Sequence, residues 1–226
     1  MKRARIFAAA ATALFLTACQ QPADAREATV LAPVPKIQAN EPGKRAVAIF
    51  AGGCFWGIEG VFSHIKGVSS AVSGYHGGNA QTANYKRVSS GYTTHAEAVR
   101  VIYDPSKVTY GQLLRVFFSV AADPTTLNYQ GPDHGPQYRS ALVPLSADQR
   151  RVAKAYLSQL DKSGLWKKPV VTRIESYQKF YPAEKSHQDF MKANPRHPYI
   201  LRWDAPKVAA LKARFPALYT ARFQPN

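Results

Sequence analysis

The stretch RAVAIFAGGCFWGIEGVFSHIKG, residues 45–67, carries the main fold signal of this chain. Its first seven residues are a short apolar run that predicts a β-strand, and Gly52 and Gly53 end that run. From Cys54 onward apolar side chains recur at the spacing of one helix face, until Gly67 ends the pattern. A strand that turns through two glycines into an amphipathic helix indicates an α/β unit.

The rest of the chain continues this alternation. Strands are predicted at 68–75, 95–103, 138–145 and 170–175, and helices at 110–121, 146–160, 183–192 and 204–219. Two polar segments, 76–92 and 123–137, are expected to be functional loops. The pattern therefore predicts an α/β or α+β sandwich.

The first residues are typical of an export signal. Residues 1–5 hold three basic side chains and no acid, and the apolar stretch of 13 residues from Ile6 to Ala18 is too short to span a bilayer. Leu16-Thr17-Ala18-Cys19 resembles the lipobox of bacterial lipoproteins, whose cysteine is lipidated and becomes the new N-terminus. Ordinary signal-peptidase cleavage nearby is the alternative, and either route exports the protein.

Lipidation at Cys19 predicts a membrane anchor on the periplasmic face of a bacterial envelope. Gln20, in the position after the cysteine, favours the outer membrane over the inner one. The predicted organisation has four parts: a signal peptide at 1–18, a lipidated N-terminus with a flexible tether at 19–44, a folded domain at 45–200 and a basic C-terminal extension at 201–226.

The chain is strongly basic. Its formal net charge is +16, and removal of residues 1–18, with three basic residues and no acid, leaves +13. Because no Lys/Arg block and no nucleic-acid-binding motif occurs, we interpret the charge as a basic surface and expect no nucleic-acid partner.

Cys54 is the thiol that the folded part can use, since the chain has two cysteines and Cys19 is blocked once lipidated. At a helix N-terminus, unpaired backbone N–H groups and the helix dipole favour the thiolate, which predicts a lowered pKa for Cys54. Phe55 and Trp56 predict an aromatic pocket beside it for a small apolar group. Ordinary core packing of these three side chains is the alternative.

Glu97 shares a predicted strand face with Val99, Val101 and Tyr103. A carboxyl in an apolar row is partly desolvated, which raises its pKa and predicts a general acid near neutrality. If that row faces solvent, Glu97 is an ordinary surface acid. The polar loops add Tyr85 and Tyr138, whose hydroxyls can hold a polar oxygen.

Five segments, in order, resemble the peptide methionine sulfoxide reductase A family. They are GCFWG at 53–57, SGY at 73–75, YKRV at 85–88, HAEAV at 95–99 and DHGPQYRS at 133–140. The resemblance implies a two-layer α/β sandwich with a ferredoxin-like βαβ core, and reduction of the S epimer of methionine sulfoxide, free or in oxidised proteins. It also implies that the enzyme is a monomer.

The resemblance assigns roles to named residues. Cys54 is implied to be the nucleophile and Glu97 the proton donor to the sulfoxide oxygen. Tyr85 and Tyr138 are implied to hydrogen-bond that oxygen. The substrate-binding residues are then Phe55 and Trp56, around the S-methyl group, and Asp133 and His134, in a supporting role.

The chain departs from many relatives because residues 194–226 contain no cysteine. It is therefore predicted to be a one-cysteine enzyme without a bound cofactor or metal, since the six histidines lack metal-ligand spacing. Its sulfenic acid would be reduced by an external thiol, either a small thiol or a thioredoxin-like protein. Two rivals stay open: a Cys/His hydrolase that uses His95 or His134, and a non-catalytic lipoprotein that binds peptides in an aromatic pocket.

Overall fold

The computed structural model describes residues 29–224. The strands are β1 (Ala46–Ala51), β2 (Val68–His76), β3 (Ala96–Tyr103), β4 (Tyr129–Gln130), β5 (Asp133–His134), β6 (Ala141–Val143), β7 (Arg173–Ile174) and β8 (Phe180–Pro182). The helices are α1 (Phe55–Ser63), α2 (Tyr85–Ser89), α3 (Tyr110–Val116), α4 (Ala147–Asp161), α5 (Phe190–Ala193) and α6 (Ala205–Arg214). Two π-helical turns, Phe117–Ala121 and Ile200–Asp204, follow α3 and precede α6.

Six strands form one mixed sheet in the order β7-β6-β1-β3-β2-β8. Because β3 is antiparallel to both β1 and β2, those two strands run parallel with β3 between them, and α1 makes the crossover. This is a split βαβ unit, the core of a ferredoxin-like fold. The predicted α/β class is confirmed. The short strands β4 and β5 pair only with each other.

The main core lies on one face of this sheet. Ala48 and Phe50 of β1 point into it, and Phe50 stacks on Phe62 of α1 with ring centroids 4.7 Å apart. Full burial of one such ring stabilises a fold by about 1.5–3 kcal/mol. Val99 and Val101 of β3 also point into this core, so Glu97 in the same row faces protein rather than solvent.

The turn between β1 and α1 depends on its two glycines. A Cβ at Gly52 would approach the Phe117 ring to 2.6 Å, and one at Gly53 would approach the Gln130 Cβ to 2.6 Å. Gly53 also has a φ of +98°, which side-chain-bearing residues rarely adopt. Cys54 therefore reaches the N-cap position of α1 through a turn that no bulkier pair could make.

The described part of the predicted flexible tether, residues 29–44, is packed on the domain. Ala32 is fully buried, and its carbonyl accepts a hydrogen bond from Arg115 Nε at 2.9 Å. Tyr156 donates to the Pro33 carbonyl at 2.8 Å, and Tyr103 donates to Glu41 at 2.6 Å. The flexible-tether prediction is thus wrong for 29–44, because its backbone and carboxyl groups find fixed partners. The predicted signal peptide and the predicted lipidation site at Cys19 lie outside the described residues.

The C-terminal segment is likewise part of the fold rather than an appendage. Leu211 is fully buried in the main core and Phe215 is nearly so. Helix α6 ends at Arg214, two residues before Pro216, as the proline predicts. No helix within residues 29–224 has the length and apolar character of a membrane span.

One predicted helix is wrong. Residues 183–192 contain a 3₁₀ turn at Lys185–His187 and the short α5, separated by an extended Gln188. The side-chain amide of Gln188 exchanges two hydrogen bonds with the backbone of Ser73, at 3.1 and 2.9 Å. That pairing continues the edge of β2 and holds the segment out of a regular helix.

Candidate active site

A cavity of about 300 Å³ opens at the N-terminus of α1. It brings together seven residues singled out from the sequence: Cys54, Phe55, Trp56, Tyr85, Glu97, Asp133 and Tyr138. Residues from four separate parts of the chain converge here because β1 and β3 are neighbours in the sheet. Two further lining residues, His197 and Tyr199, were not predicted.

Cys54 is partly exposed at the N-cap position of α1. Burial raises the pKa of its thiol well above the ordinary value, and the carboxyls of Asp204, Glu97 and Asp133 raise it further. The backbone N–H of Trp56 acts in the opposite direction but is outweighed. The sequence-based expectation of a lowered pKa is therefore wrong for the resting site, because burial disfavours the thiolate and three carboxyl groups near this helix end add to that effect.

Glu97 is almost fully buried, and its Oε2 accepts a hydrogen bond from the Phe55 N–H at 3.1 Å. Burial raises its pKa to about 8, although the Phe55 N–H works against this shift. The carboxyl is thus largely protonated at neutral pH and can donate a proton into the cavity. This confirms the prediction that Glu97 is buried and excludes the alternative that it is an ordinary surface acid.

The aromatic wall is held rigid. Phe55 is fully buried, while the Trp56 ring stacks on Phe190 with centroids 3.8 Å apart and an interplanar angle of 10°. Trp56 Nε1 also donates to His187 Nδ1 at 3.2 Å. The indole therefore presents a fixed apolar surface to the cavity.

Tyr85 and Tyr138 reach the cavity from different loops. Burial raises the pKa of both phenols, so both hydroxyls stay protonated and can donate hydrogen bonds. The Glu184 carboxylate holds the N-terminal end of α2 in place. One of its oxygens accepts a hydrogen bond from the Tyr85 backbone N–H at 2.8 Å, and the other accepts one from the Tyr75 hydroxyl at 2.7 Å. The Tyr85 ring packs on His187, with centroids 4.1 Å apart.

Asp133 has a partner that the sequence did not reveal. The Tyr199 hydroxyl donates a hydrogen bond to Asp133 Oδ2. Tyr199 directly precedes the π-helical turn Ile200–Asp204, in a region where the sequence offered only the absence of cysteine. A single aromatic residue beside an irregular turn has no periodic signal, so only the fold places it in the site.

His134 does not join the cavity. Its side chain is exposed and stacks on Tyr129, with ring centroids 5.4 Å apart. His95 is fully buried, and its Nε2 bonds the Asn79 carbonyl at 3.0 Å. Neither histidine lines the cavity, so the position of His134 does not support a contact with substrate. The Cys/His hydrolase therefore lacks the base that the sequence offered it, His95 or His134.

Comparisons with known proteins agree with this geometry. The peptide methionine sulfoxide reductase family model matches residues 46–217. Peptide methionine sulfoxide reductase MsrA 2 of Mesorhizobium japonicum is 58% identical over 181 residues, which cover 80% of this chain and 92% of that relative. MsrA 2 of Synechocystis is 48% identical over 168 residues, covering 74% and 78%.

Two solved structures share the fold. Reduced Mxr1 from Saccharomyces cerevisiae is 36% identical and superposes with a TM-score of 0.60, covering 72% of this chain and 92% of that one. Methionine sulfoxide reductase A of Corynebacterium diphtheriae is 29% identical with a TM-score of 0.58, covering 78% and 87%. Both alignments span most of the relative.

Proposed function

This chain belongs to the peptide methionine sulfoxide reductase A family and reduces methionine-S-sulfoxide to methionine; we propose that it does so with one cysteine, at the periplasmic face of a bacterial envelope. The observation that carries the catalytic proposal is the cavity in which the Cys54 thiol, the protonated Glu97 carboxyl and two tyrosine hydroxyls meet. Oxidised envelope proteins and free methionine sulfoxide are its substrates.

Glu97 and the tyrosines activate the sulfoxide. Its sulfur is a weak electrophile because the oxygen leaves poorly. The Phe55 ring and the Trp56 indole take the S-methyl group, which turns the oxygen toward the hydroxyls of Tyr85 and Tyr138. Proton donation from Glu97 then makes the sulfur open to attack.

Cys54 supplies the electrons. Its sulfur forms a bond with the sulfoxide sulfur while the thiol proton passes to the carboxylate that Glu97 has just become. The S–O bond of the substrate and the new S–S bond then break while the hydroxyl forms a bond to the Cys54 sulfur. This leaves a sulfenic acid on Cys54 and releases methionine as a thioether. The thiol and the sulfoxide thus yield a sulfenic acid and a sulfide, and Glu97 regains its proton.

A second thiol must close the cycle. Cys54 is the only cysteine among the described residues and is free. We infer that an external thiol, from a thioredoxin-like protein or a small molecule, attacks the sulfenic acid, releases water and leaves a mixed disulfide that a second thiol resolves.

The chemistry is tested on a chain that begins at Gln20. Incubation with one equivalent of S-sulfoxide should add one oxygen to the intact mass, and dithiothreitol should remove it. The R epimer serves as the matched control and should leave the mass unchanged. Reduction of the R epimer alone, or of neither, would contradict the proposal.

The anchor is tested separately. Lipidation of Cys19 should appear as a diacylglyceryl mass on the N-terminal peptide of the protein purified from bacterial membranes. Cys19→Ala should move the protein to the soluble periplasmic fraction and leave the sulfoxide reaction intact. An unmodified Cys19 in membrane-purified protein would contradict the anchor alone, since the cavity does not depend on it.

A further inference from the structure

A second crevice lies behind the catalytic turn. It is lined by residues 118–121 of the first π-helical turn together with Thr29, Trp166, Arg202 and Trp203. Ala122 also lines it and contacts Gly52, so the crevice sits at the same end of β1 as Cys54. None of these residues has a part in the sulfoxide reaction.

Two segments around this crevice each combine an exposed leucine, a tryptophan and one or two cations. One is Leu165-Trp166-Lys167-Lys168 and the other is Leu201-Arg202-Trp203. Leu165 and Leu201 are 46% and 57% exposed, and the adjacent lysines and arginine are exposed as well. We call these seven residues the Trp166–Trp203 face. Two of the three tryptophans of the chain therefore lie here, half-buried beside the exposed cations of Lys167 and Lys168.

The N-terminal segment reaches the same face. Arg214 donates to the Thr29 carbonyl at 2.8 Å and to its hydroxyl at 3.0 Å, which fixes the start of the described chain beside the crevice. Cys19 precedes Thr29 by ten residues. Whatever conformation they adopt, ten residues reach at most about 35 Å. A lipid on Cys19 would therefore keep this face close to the membrane.

We propose that the Trp166–Trp203 face seats on an anionic bilayer surface. Peripheral membrane surfaces commonly place tryptophan rings at headgroup depth, leucines below them and cations against lipid phosphates. Asp123 is the one acid among the described residues that line the crevice, and its Oδ1 is occupied by the Thr125 N–H and hydroxyl, at 2.8 and 2.7 Å. The orientation of the Trp166–Trp203 face toward the membrane rests on the proposed lipid anchor at Cys19, but the affinity of this face for lipid does not.

This seating would set where the enzyme works. Tyr199 lines the catalytic cavity, while Leu201 and Arg202, two and three residues later, belong to the Trp166–Trp203 face. The cavity mouth and the lipid-facing surface are thus joined by one short segment. Oxidised methionines close to the membrane would be the favoured protein substrates.

The test measures vesicle binding by a chain that begins at Gln20, which keeps every described residue. Co-sedimentation should occur with phosphatidylcholine vesicles that contain phosphatidylglycerol, should be lost without it, and should weaken in high salt. Lys167→Glu with Lys168→Glu should weaken binding by at least about 25-fold, since each lost cation contributes about five-fold.

The matched control is Lys44→Glu with Arg45→Glu, which makes the same charge change at the opposite end of β1, where both side chains are exposed. It should leave vesicle binding within about two-fold. Equal loss in both double variants would overturn the proposal, because binding would then follow net charge alone. Absence of binding to anionic vesicles would overturn it as well.

Tryptophan fluorescence locates the contact. In a Trp56→Phe background only Trp166 and Trp203 emit, and brominated lipids in the vesicles should quench them. Binding without quenching would place the contact on another surface and reject this one. The lipidation of Cys19 is measured separately by mass and does not affect these vesicle measurements. The proposal of a lipid anchor and the proposal that the Trp166–Trp203 face binds lipid can therefore be rejected independently.

Discussion

The Oε2 atom of Glu97 accepts a hydrogen bond from the Phe55 N–H at 3.1 Å, which joins the buried acid of β3 to the first residue of α1. The N–H used is one of those that a helix N-terminus leaves without an intrahelical partner. Because Phe55 directly follows Cys54, this bond fixes the proton donor beside the nucleophile. Acid and thiol are therefore positioned by one element, the start of α1.

Glu97→Gln should slow sulfenic-acid formation about 10²–10⁴-fold, the usual contribution of a general acid. Glutamine can still accept the Phe55 N–H but has no acidic proton, so the fold should persist. Single-turnover mass analysis with the S-sulfoxide measures the step. A circular dichroism spectrum and melting curve identical in shape to the parent serve as the control, and an unchanged rate would exclude Glu97 as the acid.

The same substitution should stabilise the protein at alkaline pH. The unfolded carboxyl loses its proton near pH 4.5, whereas the folded one holds it to about pH 8. Since the folded state binds the extra proton, native stability falls as pH rises across that window. Glu97→Gln should gain a few kcal/mol over the parent at pH 9 and nothing at pH 4. Urea melts at both values measure this, and equal stability of the two proteins at pH 9 would contradict it.

Cys54 should be alkylated slowly at neutral pH. Burial and the surrounding carboxyls hold its pKa well above the ordinary value, with Asp204 the largest charge contribution. Asp204→Asn removes that charge, so its rate of reaction with iodoacetamide at pH 7 should exceed that of the parent several-fold. Asp148→Asn, at the start of α4, is a control expected to leave the rate unchanged. Fast alkylation of the parent would favour the helix-dipole expectation instead.

The sequence correctly predicted features that depend on residues close together in the chain. The β1–Gly52-Gly53–α1 turn, the burial of Glu97 and the end of α6 follow from periodicity, strand faces and a proline. The pKa of Cys54 did not follow, because its burial and the approach of Asp204 and Asp133 from distant segments arise only from the fold. The predictions of a flexible tether at 29–44 and of a helix at 183–192 were wrong for a related reason. The polar groups of residues 29–44 and of Gln188 form hydrogen bonds with partners far away in the sequence, which composition does not reveal.

Substitutions at Tyr138 and His134 should have different effects on kcat/KM, although the two residues lie only four positions apart in the sequence. Tyr138 lines the cavity as a protonated donor, so Tyr138→Phe should lower kcat/KM about 10-fold, the value of one hydrogen bond to a developing charge. His134→Ala should leave kcat/KM within two-fold, since its ring contacts Tyr129 outside the cavity. Steady-state assays with the S-sulfoxide compare the two variants, and an equal loss in both would contradict the geometry.

Arg139 should act as a positioning residue for Tyr138. Its buried guanidinium holds both Glu175 oxygens, at 2.7 and 3.2 Å, and also donates to the carbonyls of Pro136 and Thr94. Although burial raises the pKa of Glu175, hydrogen bonds from His76 and Arg139 hold it at about 2, so this clamp stays charged in acid. Arg139→Lys keeps the charge but cannot form the fork, and it should lower kcat several-fold with little change in KM. The Cys54 alkylation rate, which does not involve Tyr138, should stay unchanged; a parallel fall in both rates would indicate general loosening of the fold instead.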